Sequence, residues 1–284
     1  MHGTSTSHPF DRATAVEMQA DGTAIAHTGP EYYGFVGQFG GATAATLLRA
    51  VLAHPDLLGE PVAQTVNFAA AVEKGPYRIE ARPARTNRST QHWQVAAFQG
   101  DDPMPRITAT TVTGIRRAGW SHQSAEPPVL RDPSALAAHD TGGGSGWTSR
   151  YRFHFDSGAP EIAAPGFGEA APAAAAEPAP AASTLWLGDA PERPIDHLSV
   201  AALADAFFAR VFHIRRALVP LGTVTMSTWF HAGAAELAGL GTTLLAARVD
   251  GRRSNDSYSD QSAELWSPDG RLVATSHQLV YYKA

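Results

Sequence analysis

Hydrophobic and polar positions follow two different periods along the chain. Over residues 198–212, apolar side chains such as Val200, Leu203 and Phe207 recur every three to four positions, which is typical of an amphipathic helix. Residues 41–53 show the same pattern and predict an earlier helix. After each helix the pattern changes to stretches of about ten residues that are typical of strands. The chain is therefore predicted to contain, twice over, one long helix followed by four strands.

Residue identities repeat between the two halves at a slowly growing separation. Ala204 lies 160 residues after Ala44, and Arg253 lies 165 residues after Arg88. Small loop insertions would produce this growth. We interpret the repeat as an internal duplication, because fixed-period similarity usually means repeated structural units. It predicts an α+β protein with two antiparallel sheets, each wrapping one long helix.

Two segments interrupt the strand and helix patterns. Residues 119–146 are rich in Pro and Gly and predict a linker between an N-terminal unit, 1–118, and a C-terminal unit, 147–284. Within the second unit, most residues of the stretch 157–183 are Ala or Pro. Repeated prolines block both helix propagation and strand pairing. We therefore expect this stretch to be a loop inserted into the C-terminal unit and to be dispensable for folding.

Composition excludes several classes of function. The net charge of −5 argues against sequence-independent nucleic-acid binding, which needs a basic surface. The chain has no cysteine and no His-Glu-x-x-His motif, so neither thiol chemistry nor a bound metal or cofactor is expected. No apolar run approaches the roughly 18 residues of a membrane-spanning helix, and the N-terminus lacks a signal-peptide pattern. We therefore expect a soluble, cytoplasmic protein.

The last predicted strand is apolar on both faces. Ala274 and Val280 lie on one face, while Leu279 and Tyr281 lie on the other. Charged residues make up only 17% of the chain, below the roughly 25% that is usual for soluble proteins. A strand that is buried on both sides is expected when its sheet also packs on a partner. These features predict a homo-oligomer.

Four motifs resemble the acyl-CoA thioesterases of the TesB type. They are Phe39-Gly40-Gly41-Ala42, Leu203-Ala204-Asp205-Ala206-Phe207-Phe208, Thr228-Trp229-Phe230-His231, and the segment from Asp269 to Gln278. The resemblance covers most of the chain apart from the first twenty residues and the Ala/Pro-rich insertion. It implies a double hotdog fold and an acyl-CoA substrate. It also implies thioester hydrolysis by a water molecule that an Asp, a Thr and a Gln hold, without a covalent intermediate.

The resemblance assigns these three roles to residues of the second half. It makes Asp205 the general base and Gln278 the amide that orients the water. Counting back from the Trp-Phe-His motif makes Thr223 the hydroxyl, with Thr225 as the alternative two residues on. The family's Asp-His-Ser before the Trp-Phe is replaced here by residues 225–227, Thr-Met-Ser. Asp205 stands in an apolar stretch, where a raised pKa would suit a general base.

Further residues are candidates for binding the substrate. Gly40 and Gly41 open the first helix, where an exposed backbone N–H could polarise the thioester carbonyl, although a tight turn also explains them. Arg88 and Arg253 occupy matching places in the two halves. They could neutralise the phosphates of coenzyme A, although solvated hairpin ends explain them nearly as well.

The repeat indicates that only one half carries an active site. At the positions equivalent to Asp205 and Gln278, the first half has Ala45 and Thr113. Two other functions remain open on the same fold. One is a non-catalytic protein that binds acyl-CoA or lipid. The other is an acyl-thioester dehydratase, which would need an Asp and a His close together near a helix start.

Overall fold

A computed structural model describes residues 7–34, 37–141, 146–161 and 180–283. In these residues the helices are α1 (Pro9–Ala13), α2 (Gly40–Leu52), α3 (His197–Leu203), α4 (Arg210–Arg215) and α5 (Ala234–Leu240). The strands of the first half are β1 (Val16–Met18), β2 (Ala24–His27), β3 (Glu60–Phe68), β4 (Pro76–Thr86), β5 (Thr90–Phe98) and β6 (Ile107–Gly114). Those of the second half are β7 (Tyr151–Ser157), β8 (Ser183–Asp189), β9 (Leu221–Phe230), β10 (Leu245–Asp250), β11 (Ser254–Asn255), β12 (Tyr258–Trp266) and β13 (Leu272–Tyr282).

All of these strands belong to one antiparallel sheet, in the order β1-β2-β4-β5-β6-β3-β9-β13-β12-β10-β8-β7, with β11 paired to β12. The two separate sheets expected from the sequence are joined where β3 pairs with β9. Both β3 and β9 directly follow the helical segment of their own half. Thr65 and Ser227 lie opposite each other at this joint, and their hydroxyl oxygens are 2.8 Å apart. Joining the two sheets satisfies the backbone groups that two open edges would leave unpaired.

Helix α2 confirms the helix predicted at 41–53 to within one residue at each end. Its Ala- and Leu-rich sequence favours the helical state, and it is buried on nearly all sides. Leu47 and Val51 pack with the core of the first half, which includes Trp93. Leu48 packs in the core of the second half. This one helix therefore contributes to both cores.

The second long helix, predicted at 198–212, is interrupted. Helix α3 ends at Leu203 and α4 begins at Arg210. In the interruption, the Phe207 N–H donates to the carbonyl of Asp205 at 2.7 Å instead of to a residue four positions earlier. Phe207 and Phe208 are consecutive, and a continuous helix would turn them about 100° apart. The interruption lets both rings pack inward.

The described part of the predicted linker is attached to the second half. The Leu272 N–H donates to the Gln123 side chain at 2.8 Å, and the Trp186 indole donates to the Arg131 carbonyl at 2.9 Å. Residues 142–145 of this linker, and residues 162–179 of the predicted insertion between β7 and β8, lie outside the described part of the chain. No helix that the structure describes is long and apolar enough to cross a membrane.

Candidate active site

Asp205 lies directly after α3, in the interruption before α4. Only 7% of the residue is exposed. Its carboxylate accepts hydrogen bonds from the Gln278 side chain and from the Gly41 N–H at the start of α2. The carboxylate lies so close to Gly40 that a Cβ there would be 2.6 Å from Oδ2. The first half of the chain therefore contributes a helix N-terminus to the acid of the second half.

Burial raises the pKa of Asp205 to about 7, while the hydrogen bonds from Gln278 and Gly41 act in the opposite direction. A buried carboxylate loses the water that stabilises its charge, so it holds a proton more tightly. Near neutral pH, Asp205 is present in both protonation states. This is the behaviour required of a group that accepts and returns a proton during a reaction.

Gln278 connects Asp205 to Thr223. It lies on the inward face of β13 and is 5% exposed. The Thr223 hydroxyl donates to Gln278 Oε1 at 3.3 Å, so the amide nitrogen of Gln278 faces Asp205. A hydroxyl, an amide and a carboxylate thus form a continuous line of hydrogen bonds.

A bulge in β9 selects Thr223 over Thr225. Leu279 pairs with Thr225, but Val280 pairs with Thr223, which leaves Val224 without a partner on β13. Such a bulge reverses the alternation of side chains, and here it brings Thr223 to the inward face. The Thr225 hydroxyl instead donates to Asn67 Oδ1 at 2.9 Å. Of the two hydroxyls, that of Thr223 is therefore the one that faces Gln278.

The three side chains line a cavity of about 630 Å³. Its wall is mostly aromatic and aliphatic, with Phe39, Phe68, Phe207, Phe208, Phe212 and Val280 among the lining residues. Ala69, Ala70 and Ala71 of the β3–β4 loop are exposed and mark an opening. This size and lining are typical of sites that bind small organic ligands.

Two glutamines in the cavity wall carried no recognisable signal in the sequence. Gln38 is 9% exposed, and both polar atoms of its amide are buried without a partner among the described residues. Gln261 is 3% exposed and lies directly opposite Gln278 on the neighbouring strand. Isolated glutamines are common in strands, and only the three-dimensional structure shows that these two face the same cavity as Asp205.

The structure does not bring Arg88 or Arg253 to the cavity wall. Arg88 lies in the β4–β5 turn, where the Ile115 N–H donates to the Ser89 carbonyl at 2.9 Å. This is the far end of β6 from Ile107, which lines the cavity. The backbone N–H of Arg253 donates to Asp260 Oδ1 at 2.7 Å.

Two other cations lie beside the opening. Arg106 Nη1 donates to the Ala71 carbonyl at 2.8 Å and forms an ion pair with Glu73 at 3.2 Å. The Lys74 ammonium lies 5.1 Å from the centre of the Tyr33 ring, and Tyr33 forms a backbone bridge with Gln38. No sequence pattern distinguishes these two cations from the other basic residues.

Comparison with known proteins yields matches along most of the chain. The model of the acyl-CoA thioesterase N-terminal domain matches residues 30–114, and that of the C-terminal domain matches residues 125–282. No curated protein matches the chain.

Several solved structures are similar over nearly the whole length. A conserved protein of unknown function with a hot dog fold, from Alicyclobacillus acidocaldarius, is 38% identical; the match covers 98% of this chain and 99% of that chain, with a TM-score of 0.89. A protein proposed to be a thioesterase II, from Thermobifida fusca, is 23% identical; the match covers 97% of each chain, with a TM-score of 0.78. The acyl-CoA thioesterase II of Mycobacterium marinum is 16% identical; the match covers 97% of each chain, with a TM-score of 0.71.

Proposed function

The chain belongs to the acyl-CoA thioesterase family, since both domain models of that family match it, and we propose that it hydrolyses acyl-CoA thioesters in the cavity around Asp205. The observation that carries this proposal is the line of hydrogen bonds from Thr223 through Gln278 to Asp205, which ends at a carboxylate with a pKa of about 7. We further propose that each half, 1–118 and 147–284, is one unit of a double hotdog.

In the proposed reaction a water molecule attacks the thioester carbonyl carbon while Asp205 accepts one of its protons. The Thr223 hydroxyl donates to Gln278, so its lone pairs are free to accept the other O–H of the water. The carbonyl π pair moves onto oxygen. The Gly41 N–H already donates to Asp205, so the oxyanion is stabilised by the remaining partial positive charge at the N-terminus of α2, where Gly40 lines the cavity. Collapse of the intermediate breaks the C–S bond. The proton on Asp205 then passes to the leaving sulfur, which gives a carboxylic acid and a free thiol.

Coenzyme A is proposed to enter through the opening at Ala69–Ala71. Arg106 donates to the Ala71 carbonyl of this rim, and Lys74 lies over the ring of Tyr33, which pairs with Gln38 of the cavity wall. Both carry the positive charge that phosphates require. Behind the rim, the carbonyl oxygen and the NH₂ group of Gln38 have no partner in the part of the chain that the structure describes. Leaving both groups unpaired in the bound state would cost about 1–3 kcal/mol for each group. The secondary amides of a pantetheine arm offer the matching acceptor and donor.

The two alternative functions are less well supported. Dehydration of a 3-hydroxyacyl thioester requires an acid–base pair of Asp and His, and no histidine is among the residues described as lining the cavity. A binding protein would not need a carboxylate that is almost completely desolvated. Hydrolysis is therefore the activity that the geometry favours.

The test is turnover of an acyl-CoA series with detection of the free thiol. Wild-type protein is expected to release thiol from at least one acyl-CoA, and Asp205→Asn is expected to lose this activity. Loss of water from 3-hydroxyacyl-CoA without thiol release would show a dehydratase instead. Binding without any turnover would show a carrier.

We also propose that the protein forms a homo-oligomer through the outer face of its sheet. Trp229, Tyr258 and Tyr281 are 45%, 46% and 40% exposed on the strands β9, β12 and β13. Exposed aromatic side chains grouped on one surface are typical of protein interfaces. Light scattering at micromolar concentration is expected to give a multiple of 30.0 kDa, and a mass of 30.0 kDa would contradict the proposal.

A further inference from the structure

Arg210 is a buried cation without a carboxylate partner among the residues that the structure describes. Its guanidinium donates to the Phe208 carbonyl, to the Ala181 carbonyl at 2.9 Å, to Ser183 Oγ at 2.7 Å and to Gln261 Oε1 at 3.1 Å. Burial lowers its pKa to about 9. The charge of Asp250 acts on Arg210 only from beyond ion-pair distance, and all the hydrogen bonds of the guanidinium given above go to neutral acceptors. Burying a charge in this way is expensive, so a purely structural role is poorly served by an arginine at this position.

The bond from Arg210 fixes the orientation of the Gln261 amide. A guanidinium can only donate hydrogen bonds, so the amide atom that faces it must be the carbonyl oxygen. The NH₂ group of Gln261 therefore points the other way. It makes no hydrogen bond to any residue in the described part of the chain, and Gln261 lines the cavity. The positive charge behind the carbonyl also polarises the amide, which makes its NH₂ group a stronger donor.

The NH₂ group of Gln261 lies close to the reacting groups, on the side of Gln278 away from Thr223. The order of strands is β9, β13 and β12, so Thr223, Gln278 and Gln261 follow one another across the sheet. Directly opposite residues on antiparallel strands have Cβ atoms roughly 5 Å apart. The NH₂ group of Gln261 is thus within reach of an atom roughly two to three carbon–carbon bonds from the thioester carbon. The nearby wall, formed by Phe208 and Phe212, offers an acyl chain no hydrogen bond.

We propose that Gln261 donates a hydrogen bond to an oxygen on the acyl chain, so that the site favours acyl-CoA substrates with a hydroxyl, keto or carboxylate oxygen near the thioester over plain alkanoyl chains. The proposal rests on the thioesterase function proposed above. Gln261 is the specificity-determining residue, and Arg210 is a positioning residue that acts through it.

The experiment compares kcat/KM for butanoyl-, 3-hydroxybutanoyl-, 3-oxobutanoyl- and succinyl-CoA. Wild-type protein is expected to favour at least one oxygenated substrate over butanoyl-CoA by ~10-fold or more, because a plain chain leaves a buried donor unpaired. The three oxygenated substrates show whether a hydroxyl, a keto oxygen or a carboxylate is the preferred group. Gln261→Met keeps the length of the side chain and removes the donor, so this preference is expected to fall by ~10-fold or more.

Two further variants make the result independent of folding. Gln94 is exposed on β5, and Gln94→Met is the matched control, which is expected to keep the wild-type preference. Arg210→Met is expected to weaken the preference because the Gln261 amide is then free to rotate. A ratio of two substrates measured on one sample does not depend on the fraction of protein that is folded.

The outcomes of these assays distinguish the role proposed for Gln261 from the thioesterase function on which it rests. If wild-type protein hydrolyses acyl-CoA but shows no preference for an oxygenated chain, or if Gln261→Met leaves the preference intact, the role of Gln261 is wrong and the thioesterase function stands. If wild-type protein hydrolyses none of these substrates or of the longer acyl-CoA series, both proposals fail.

Discussion

In the first half of the chain, side chains fill the place that corresponds to the cavity of the second half. There the Trp93 indole donates to Thr113 Oγ1 at 3.2 Å, and its ring is 1% exposed. Gln91 lies opposite Thr113, as Gln261 lies opposite Gln278 in the second half. Side chains thus fill the interior of the first half at this place, whereas a cavity remains in the second half.

The hydrogen bonds of the two opposite glutamines show the same contrast. Gln91 Oε1 accepts from the Leu58 N–H at 2.8 Å, and its Nε2 donates to Asp56 O and Thr86 Oγ1 at 2.9 and 2.8 Å. Every polar atom of that amide has a partner within the protein. In the second half, the NH₂ group of Gln261 has no such partner in the described residues and faces the cavity. A satisfied amide stabilises the fold, whereas an unsatisfied one is available to a ligand.

The helices differ for a related reason. Helix α2 is continuous, and its Ala45 is fully buried at the position equivalent to Asp205. The corresponding helix of the second half is interrupted at Asp205, which frees the carboxylate from the helix and points it toward Gly41. The first half therefore keeps a continuous helix and a filled interior, whereas the second half has an interrupted helix and a cavity that Asp205 lines.

The largest expected effect is the loss of activity when Asp205, the acid of the second half, is replaced. Asp205→Asn keeps the shape of the side chain but cannot accept a proton, so kcat for acyl-CoA hydrolysis is expected to fall ~10²–10⁴-fold. Thermal melting is expected to stay unchanged or to rise, because the variant has no buried charge. Asp189→Asn is the matched control, since Asp189 is also buried with a raised pKa but does not line the cavity. A control variant as inactive as Asp205→Asn would mean that the loss is structural.

The next effect tests whether the packed half can hold an acid. Ala45→Asp is expected to lower the free energy of unfolding by about 3 kcal/mol at pH 8, because the position is fully buried and Arg49, one turn further along α2, is already paired with Asp11. Denaturant unfolding measures the change. Since the new pKa is raised by burial, the loss should be smaller at pH 5, where the carboxyl is more protonated. A stable Ala45→Asp protein at pH 8 would contradict the contrast between the halves.

The pKa of Asp205 predicts the pH dependence of both activity and stability. Because the ionised form is the base, kcat/KM is expected to rise about tenfold per pH unit up to about pH 7 and then to level off. Burial raises the folded-state pKa of Asp205 above the ordinary value of an aspartate. The free energy of unfolding that Asp205 contributes is therefore fully present below about pH 4 and is lost as the pH rises through about 7. A pH–rate profile that is flat between pH 5 and 7 would contradict this assignment.

The smallest effect distinguishes the two threonines of β9. Thr223→Val removes the hydroxyl that faces Gln278, and kcat is expected to fall ~10-fold, as for the loss of one hydrogen bond. Thr225→Val is its matched control and is expected to keep the wild-type rate, because that hydroxyl bonds to Asn67 on another face. Equal losses in the two variants would show that the bulge does not select Thr223.

Local patterns predicted much of this structure, and long-range pairing accounts for what they missed. The period of apolar residues located α2 to within one residue at each end. The residues that the family motifs singled out, Asp205, Gln278 and Thr223, lie next to one another in the structure. No local pattern announces that β3 pairs with β9, so the single sheet could not be foreseen. The bulge at Val224 and the interruption between Leu203 and Arg210 are local departures that the packing of neighbours imposes.

The binding residues were the least predictable part of the site. Arg88 and Arg253 stand at matching places in the two halves, but neither is among the residues that line the cavity. Gln38 and Gln261 differ from most glutamines only in what surrounds them, which the sequence does not display.

The central claim is that Asp205 activates a water molecule and does not itself attack the thioester. A single turnover in ¹⁸O-labelled water, with protein in excess over acyl-CoA, tests it directly. Direct attack by water puts the label into the carboxylic acid product in the first turnover and leaves the carboxylate of Asp205 unlabelled. Mass spectrometry of the digested protein locates any ¹⁸O in the Asp205 carboxylate. If the label is found there and the product is unlabelled, Asp205 forms an acyl intermediate, which would contradict its proposed role as a general base.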